Sequence, residues 1–346
     1  MSARRAPQNG AARCTVSSTT VRSDSGPVSA MPPVSNRTHK LLLFDRMGAS
    51  TTPWLPVGFM RRTAYAGVES GHMTLTERIG VDTGQGLSIA EAVEWAAGND
   101  VHYVDVCLDS TPIDPDGYDD DEVTSIRETC TNHDISLGLH TLSAVNVAET
   151  SAHVDDAVDA YLRAYVDIGD LVGADRVIVH GGYHFTDDYE ARVAASKARL
   201  TRAIEYAADA EPDLLLENHN VEPDASEMHY VPVTLDEVTG YFDDLEADGL
   251  GWAFNPPHAR QFPEDIDGYF EALGPDLCAE VRLNDNHGDV EEHLAPGEGD
   301  LDFDAMFQLI EGSGYDGHYM LAFGTLEDML EGREYLLDRY SGMAGV

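Results

Sequence analysis

The chain has 346 residues, 42% of them hydrophobic, with 21 Lys/Arg against 63 Asp/Glu and a formal net charge of −42. That is enough apolar material for a large core, and no stretch reaches the roughly 20 consecutive apolar residues of a membrane span. Such a charge argues against a phosphate-binding surface for nucleic acid. The four cysteines (Cys14, Cys107, Cys130 and Cys278) form no C-x-x-C pair, which argues against a disulfide framework or a cysteine zinc site and makes a reducing cytoplasm the expected compartment.

The charge is unevenly placed. Residues 1–72 hold nine Lys/Arg and three Asp/Glu, a net of +6, whereas the remainder holds 12 basic and 60 acidic residues, a net of −48, with Lys197 its one lysine. The acidic residues are spread over every segment instead of blocked in a tail. This pattern reads as adaptation to a high-salt cytosol, where the Debye length is only about 3 Å at 1 M and self-repulsion is screened. The first 72 residues are rich in Ser, Thr, Pro and Ala and carry no sustained period. They read as a disordered or non-native extension, with translation beginning at Met73. The pairs Arg4-Arg5 and Arg61-Arg62 lack the apolar run of a targeting signal.

From Met73 onward, strands and helices alternate. Short apolar runs predict strands at 78–82, 103–108, 135–140, 176–180, 214–217, 251–255, 279–283 and 319–323. Between them, helical spacing recurs in Val154, Val158, Tyr161, Tyr165 and Ile168, in Leu235, Val238, Phe242 and Leu245, and in Phe303, Phe307 and Ile310. Ser88, Thr234 and Asp302 stand where helix caps belong. Eight β-α units in one domain, 73–346, predict an α/β fold, a (β/α)8 TIM barrel. The alternative, a doubly wound open sheet, lacks its phosphate loop: Gly80–Gly86 reads GVDTGQG, not G-x-G-x-x-G.

Active sites of such barrels lie at the C-terminal ends of the strands. Those ends carry His140, His180, Glu217 and Asn255, with His258 three residues further on. The seventh strand leads into Asn284-Asp285-Asn286-His287, then Glu291, His293 and Glu298 between two glycines. Imidazole and carboxylate together suit a divalent metal such as zinc or manganese. His102, His133, His153, His229 and His318 fall away from that end and read as surface, while His184 and His219 lie in mouth loops with no assigned role.

The run NDNHGDVEEHLAPGEGDLDF (284–303), together with LGLH (137–140), VIVHGG (177–182), LLLEN (214–218) and FNPPHA (254–259), resembles the xylose isomerase-like barrel superfamily. That superfamily contains sugar-phosphate isomerases and epimerases and repair enzymes of the endonuclease IV type. The resemblance implies metal ligands among His140, His180 and Glu217, and among His258, Glu291 and His293. His258 falls where epimerases of the family contact the substrate; with Glu217 as base and Arg282, or a metal held by the histidines, as electrophile, the candidate catalytic residues are Glu217, Arg282 and His258, and Asn255, Asp285 and Glu298 are candidate substrate contacts. The family's common metal centre is altered here: Asn255 replaces an aspartate, Arg282 a histidine, and Ala322 or Phe323 a glutamate. The expectation is therefore an empty central position with Arg282 paired to Glu217. The implied activity is a sugar or sugar-phosphate isomerase or epimerase moving a proton beside a carbonyl. The alternatives are a non-catalytic sugar- or phosphate-binding descendant and an endonuclease IV-like phosphodiesterase. The expected partner is a small sugar or sugar phosphate, with neither nucleic acid nor membrane.

Overall fold

Eight parallel strands close into a barrel in a computed structural model that describes residues 74–108, 113–223, 225–245 and 249–340. The expectations for residues 1–72 lie outside the described residues. The barrel strands are β1 (Ile79–Asp82), β2 (Tyr103–Val106), β3 (Ser136–His140), β4 (Arg176–Val179), β6 (Asp213–Glu217), β8 (Leu250–Phe254), β9 (Cys278–Leu283) and β10 (His318–Leu321). They run in the order β1-β10-β9-β8-β6-β4-β3-β2, so β1 pairs with both β2 and β10 and no edge remains. All eight coincide with the predicted runs. Two short strands, β5 (Tyr183–Phe185) and β7 (Met228–Tyr230), pair antiparallel beyond the barrel, where the sequence reading has only loops.

The outer layer includes α2 (Ile89–Gly98), α3 (Asp120–His133), α4 (Asp155–Val172), α5 (Tyr189–Ala207), α6 (Leu235–Leu245), α8 (Asp265–Leu273), α9 (Phe303–Gly312) and α10 (Leu326–Tyr340). Two single turns, α1 (Leu75–Arg78) and α7 (Pro256–Ala259), precede β1 and follow β8. The expected caps form: Ser88 and Asp302 accept from Glu91 and Ala305 N–H, and Thr234 Oγ1 accepts from Glu237. On α4, Val158, Leu162, Tyr165 and Ile168 are buried against the barrel, whereas Val154 precedes the helix and is exposed.

The outward strand faces and the helices form the main apolar core, including Trp252, Phe254, Tyr165 and Phe307. The inward faces are different. A small apolar layer of Ile178, Leu215 and Ala253 sits among charges. Arg176 donates to Asp105 at 2.7 Å, to Glu280 at 3.0 Å and to Ser136 at 2.8 Å, all buried. Gly138 makes this possible: a Cβ there would lie 2.1 Å from Asp105 Oδ1 and 2.7 Å from Arg176 Nε. His318, expected at the surface, is buried at the barrel floor, bonded to Glu280 at 2.9 Å and stacked on Tyr103. The start of β10 lies within the ring of strands, so its inward residue meets β9 and β2 instead of solvent.

Candidate functional site

The cavity at the C-terminal end of the barrel has a volume of about 830 Å³ and is lined by His140, His180, Glu217, His219, Asn255, His258, Arg282, Glu291, His293 and Ala322, among others. The ends of β3, β4 and β6 bring three of these together. His140 Nε2 lies 3.2 Å from His180 Nε2, and Glu217 Oε2 lies 3.4 Å from the first and 3.5 Å from the second. Among the described residues, this is the one group of three whose ligand atoms all fall within 4.8 Å of one another.

The hydrogen bonds around the group decide where its protons sit. Asp82 accepts at 2.8 Å from His140 Nδ1, which places that proton on Nδ1. Thr141 Oγ1 donates to the Ile178 carbonyl, so it is free to accept from His180 Nδ1 at 3.3 Å. In the neutral rings, both Nε2 atoms then present bare lone pairs to each other and to a carboxylate oxygen. Glu217 Oε2 is buried and makes no hydrogen bond. Three acceptors facing one point repel one another unless a cation or a proton lies among them. Zinc–nitrogen bonds of about 2.0–2.1 Å at a tetrahedral angle set neighbouring ligand atoms about 3.3 Å apart, which is the spacing found. The donor set therefore fits a divalent metal, and the Asp82–His140 bond is the outer support that metal-binding imidazoles carry. Without a metal, a proton takes that place. Burial and Arg282 oppose the charged form of His140, but Asp82 and Glu217 outweigh them and push its pKa up to about 9. Burial also opposes ionisation of Glu217, and Arg282, His140 and His180 overcome it, holding the carboxyl well below its usual range.

The altered centre has a clear geometry. Each nitrogen of Arg282 faces a carboxylate: Nη1 donates to Glu280 at 2.6 Å and Asp105 at 3.2 Å, Nη2 donates to Asp82, and Nε lies 3.5 Å from Glu217 Oε2. The pairing with Glu217 is present, but it is the longest of four. Asn255, the cap of α7, donates from Nδ2 to Glu217 Oε1 at 2.9 Å and accepts from His258 N at 3.3 Å. An aspartate there would set two carboxylates against each other.

A second group lies across the cavity. His258 Nδ1 donates to the Asn218 carbonyl at 2.8 Å, leaving Nε2 3.0 Å from Glu291 Oε2. His293 Nδ1 donates to the Ala322 carbonyl at 3.0 Å, leaving Nε2 3.5 Å from Glu291 Oε1. Burial penalises the Glu291 carboxylate, yet His258 and His293 keep its pKa below the ordinary value. Neither Glu291 oxygen nor His258 Nε2 makes a hydrogen bond of good geometry.

Asp285 and Glu298 do not line the cavity. Asp285 is fully buried, and its carboxylate accepts from the N–H groups of Asn286, Gly297, Gly299 and Leu301, so it organises the loop that carries Glu291 and His293. Two residues go unassigned in the sequence reading. Asp82 ends β1 by the same strand-end rule that selects His140. His219 follows Glu217 by two and is buried on the cavity wall.

The xylose isomerase-like TIM barrel family model matches residues 93–339. The chain belongs to this family. A curated relative of this family member, an uncharacterized protein of Methanocaldococcus jannaschii, is 23% identical over 217 residues, which is 61% of this chain and 72% of that protein. Among solved structures, a D-tagatose 3-epimerase-like protein matches with a TM-score of 0.65 at 19% identity, over 77% of this chain and 98% of the other. Endonuclease IV from Thermus thermophilus matches with a TM-score of 0.63 at 18% identity, over 77% and 100%. Similarity at this level establishes the shared fold.

Proposed function

We propose that this barrel is a metal-dependent isomerase or epimerase that moves a proton beside the carbonyl of a sugar-type substrate. The observation that carries this reading is the convergence of His140, His180 and Glu217, with a buried carboxylate oxygen that lacks a hydrogen bond. A divalent cation there would act as a Lewis acid on a carbonyl oxygen. Glu217 is engaged by Asn255 on one oxygen and faces Arg282 and two imidazoles on the other. It suits a ligand better than a mobile base. Arg282 has its nitrogens turned to carboxylates, so it serves as a built-in cation that keeps Asp82 and Glu217 ionised. The proton-transfer role falls to His258, which is on the cavity wall beside Glu291.

One feature favours the phosphodiesterase reading: His258, Glu291 and His293 make a second imidazole–carboxylate group. Against it, Arg282 is the only Lys or Arg lining the cavity among the described residues, and its charge is already matched by four carboxylates. The high-salt cytosol remains the habitat we favour from the charge of the barrel.

The deciding experiment is a proton-exchange screen. The metal-loaded protein in molar KCl is incubated in D₂O with free ketoses, aldoses and their phosphates, and loss of the proton signal beside the carbonyl is followed by NMR. Exchange on one compound, abolished in His180→Ala, supports the reading. Absence of exchange across the panel, with metal bound, makes this a binding protein. Nicking of abasic duplex DNA would instead support the phosphodiesterase.

A further inference from the structure

His219 is 5% exposed, lies on the cavity wall, and makes no hydrogen bond of good geometry from either ring nitrogen. The Nδ2 group of neighbouring Asn220 donates to Val221 and Glu222, and the Asn220 side chain is the polar neighbour of the ring. Buried polar atoms left unpaired forfeit their hydration without return, and native structures rarely keep them without use. The ring is also held in place. It stacks on Tyr230 with centroids 4.2 Å apart and planes within 9°, and its backbone N–H donates to the Pro232 carbonyl at 2.9 Å. Its centroid is 4.8 Å from that of His180 and 6.0 Å from that of His258. It therefore stands within reach of both the metal-binding group and the proposed proton-transfer residue, beside a substrate bound to both.

We propose that His219 is a specificity-determining residue that binds a hydroxyl group of the substrate, and that the cavity selects an uncharged polyhydroxy carbonyl compound over its phosphate ester. An imidazole whose ring nitrogens make no hydrogen bond of good geometry offers a donor on one and an acceptor on the other, the complement of a hydroxyl. The surroundings supply nothing for a phosphate. The positive end of α10 borders the cavity at Thr325 and Leu326, but Asp328 already accepts from Thr325 N at 2.8 Å and Oγ1 at 2.7 Å. A carboxylate thus occupies the position an incoming anion would need. With Arg282 matched by four carboxylates, no uncommitted Lys or Arg lines the cavity among the described residues. Leu87, Leu142, Phe323 and Met329 provide apolar wall for the carbon face of a sugar.

This inference rests on the isomerase reading and deepens it. The test uses the full chain, metal-loaded, on the free sugar that exchanges fastest in the D₂O screen, its phosphate ester and its monodeoxy analogues. His219→Phe keeps the stacking surface and removes both nitrogens. It is expected to raise KM about tenfold on the free sugar, the size of one lost hydrogen bond, and to leave KM unchanged for the analogue lacking the contacted hydroxyl. Bound metal should stay the same by elemental analysis. His219→Asn, which returns a donor and an acceptor, should recover most of the loss. In the wild type, kcat/KM for the free sugar should exceed that for its phosphate. Equal KM in wild type and His219→Phe, an equal loss on every analogue, loss of metal in the variant, or preference for the phosphate would each overturn the proposal. If no sugar exchanges at all, the isomerase reading fails first and this inference falls with it.

Discussion

His140 and His180 face each other Nε2 to Nε2 at 3.2 Å, each with its Nδ1 beside an oxygen of Asp82 or Thr141. That arrangement leaves two lone pairs and the Glu217 carboxylate around one point. The protein purified in molar KCl should carry about one zinc or manganese per chain at this position. Elemental analysis should show it lost in His180→Ala. Asp82→Leu, which removes the acceptor for His140 Nδ1, should weaken metal affinity by about 10–100-fold, as loss of an outer hydrogen bond to a metal-binding imidazole does.

Arg282 is surrounded by Asp82, Asp105, Glu217 and Glu280, all buried. Arg282→Met removes the cation and leaves the carboxylates to repel one another. Denaturant unfolding should show a loss of about 3–5 kcal/mol, the usual cost of breaking a buried ion pair from one side. Arg282→His combined with Asn255→Asp and Ala322→Glu restores imidazole and carboxylates around that position and should raise the metal content by about one per chain.

Gly138 stands where any Cβ would enter the Arg176–Asp105 ion pair. Gly138→Ala should destabilise the barrel by about 1–3 kcal/mol, the range for an overpacked core. The guanidinium must shift from Asp105, and its bond to Ser136 would lengthen with it. A melting temperature equal to that of wild type would show that the barrel interior yields more easily than its packing implies.

Asp285 is an organiser of the loop that bears Glu291 and His293. In Asp285→Ala, the N–H groups of Gly297, Gly299 and Leu301 lose their acceptor. Amide hydrogen exchange at those positions should accelerate markedly, while exchange in β3 and β4 stays as in wild type. Metal at His140 and His180 should remain, because the loop contributes none of that group.

Salt should matter strongly. The chain beyond residue 72 carries a net of −48, and lowering salt from 1 M to 0.1 M lengthens the Debye length from about 3 to about 10 Å. The melting temperature should fall steeply over that range. A flat profile would assign the acidic surface to partner binding in place of habitat.

Much of this architecture is legible in the sequence because period and spacing are local quantities. Alternation of short apolar runs with helical stretches indicates the barrel, and all eight predicted runs are strands. A residue that ends a strand or directly follows it sits at the mouth whatever its partners, so His140, His180, Glu217 and Asn255 can be read directly. The same rule reaches Asp82, whose role needs a partner 58 residues away to be seen. His318 runs against expectation because distance along the chain from the mouth says nothing about burial at the opposite end. Asp285 and Glu298 share a motif with His293, yet the fold of the loop turns the Asp285 carboxylate onto backbone amides and leaves Glu298 outside the cavity.

The alternation, the closed barrel and the set of imidazoles and carboxylates at its mouth follow from side-chain period within single elements. Which of them meet depends on how the whole chain folds. Arg282 reaches Asp105 across 177 residues of chain and Asp82 across 200, and His219 finds its neighbours on β7, α7 and the end of β4. Those contacts depend on barrel closure and strand register, which set side chains from distant strands at the same height, and electrostatics between buried groups is settled at distances of a few ångströms.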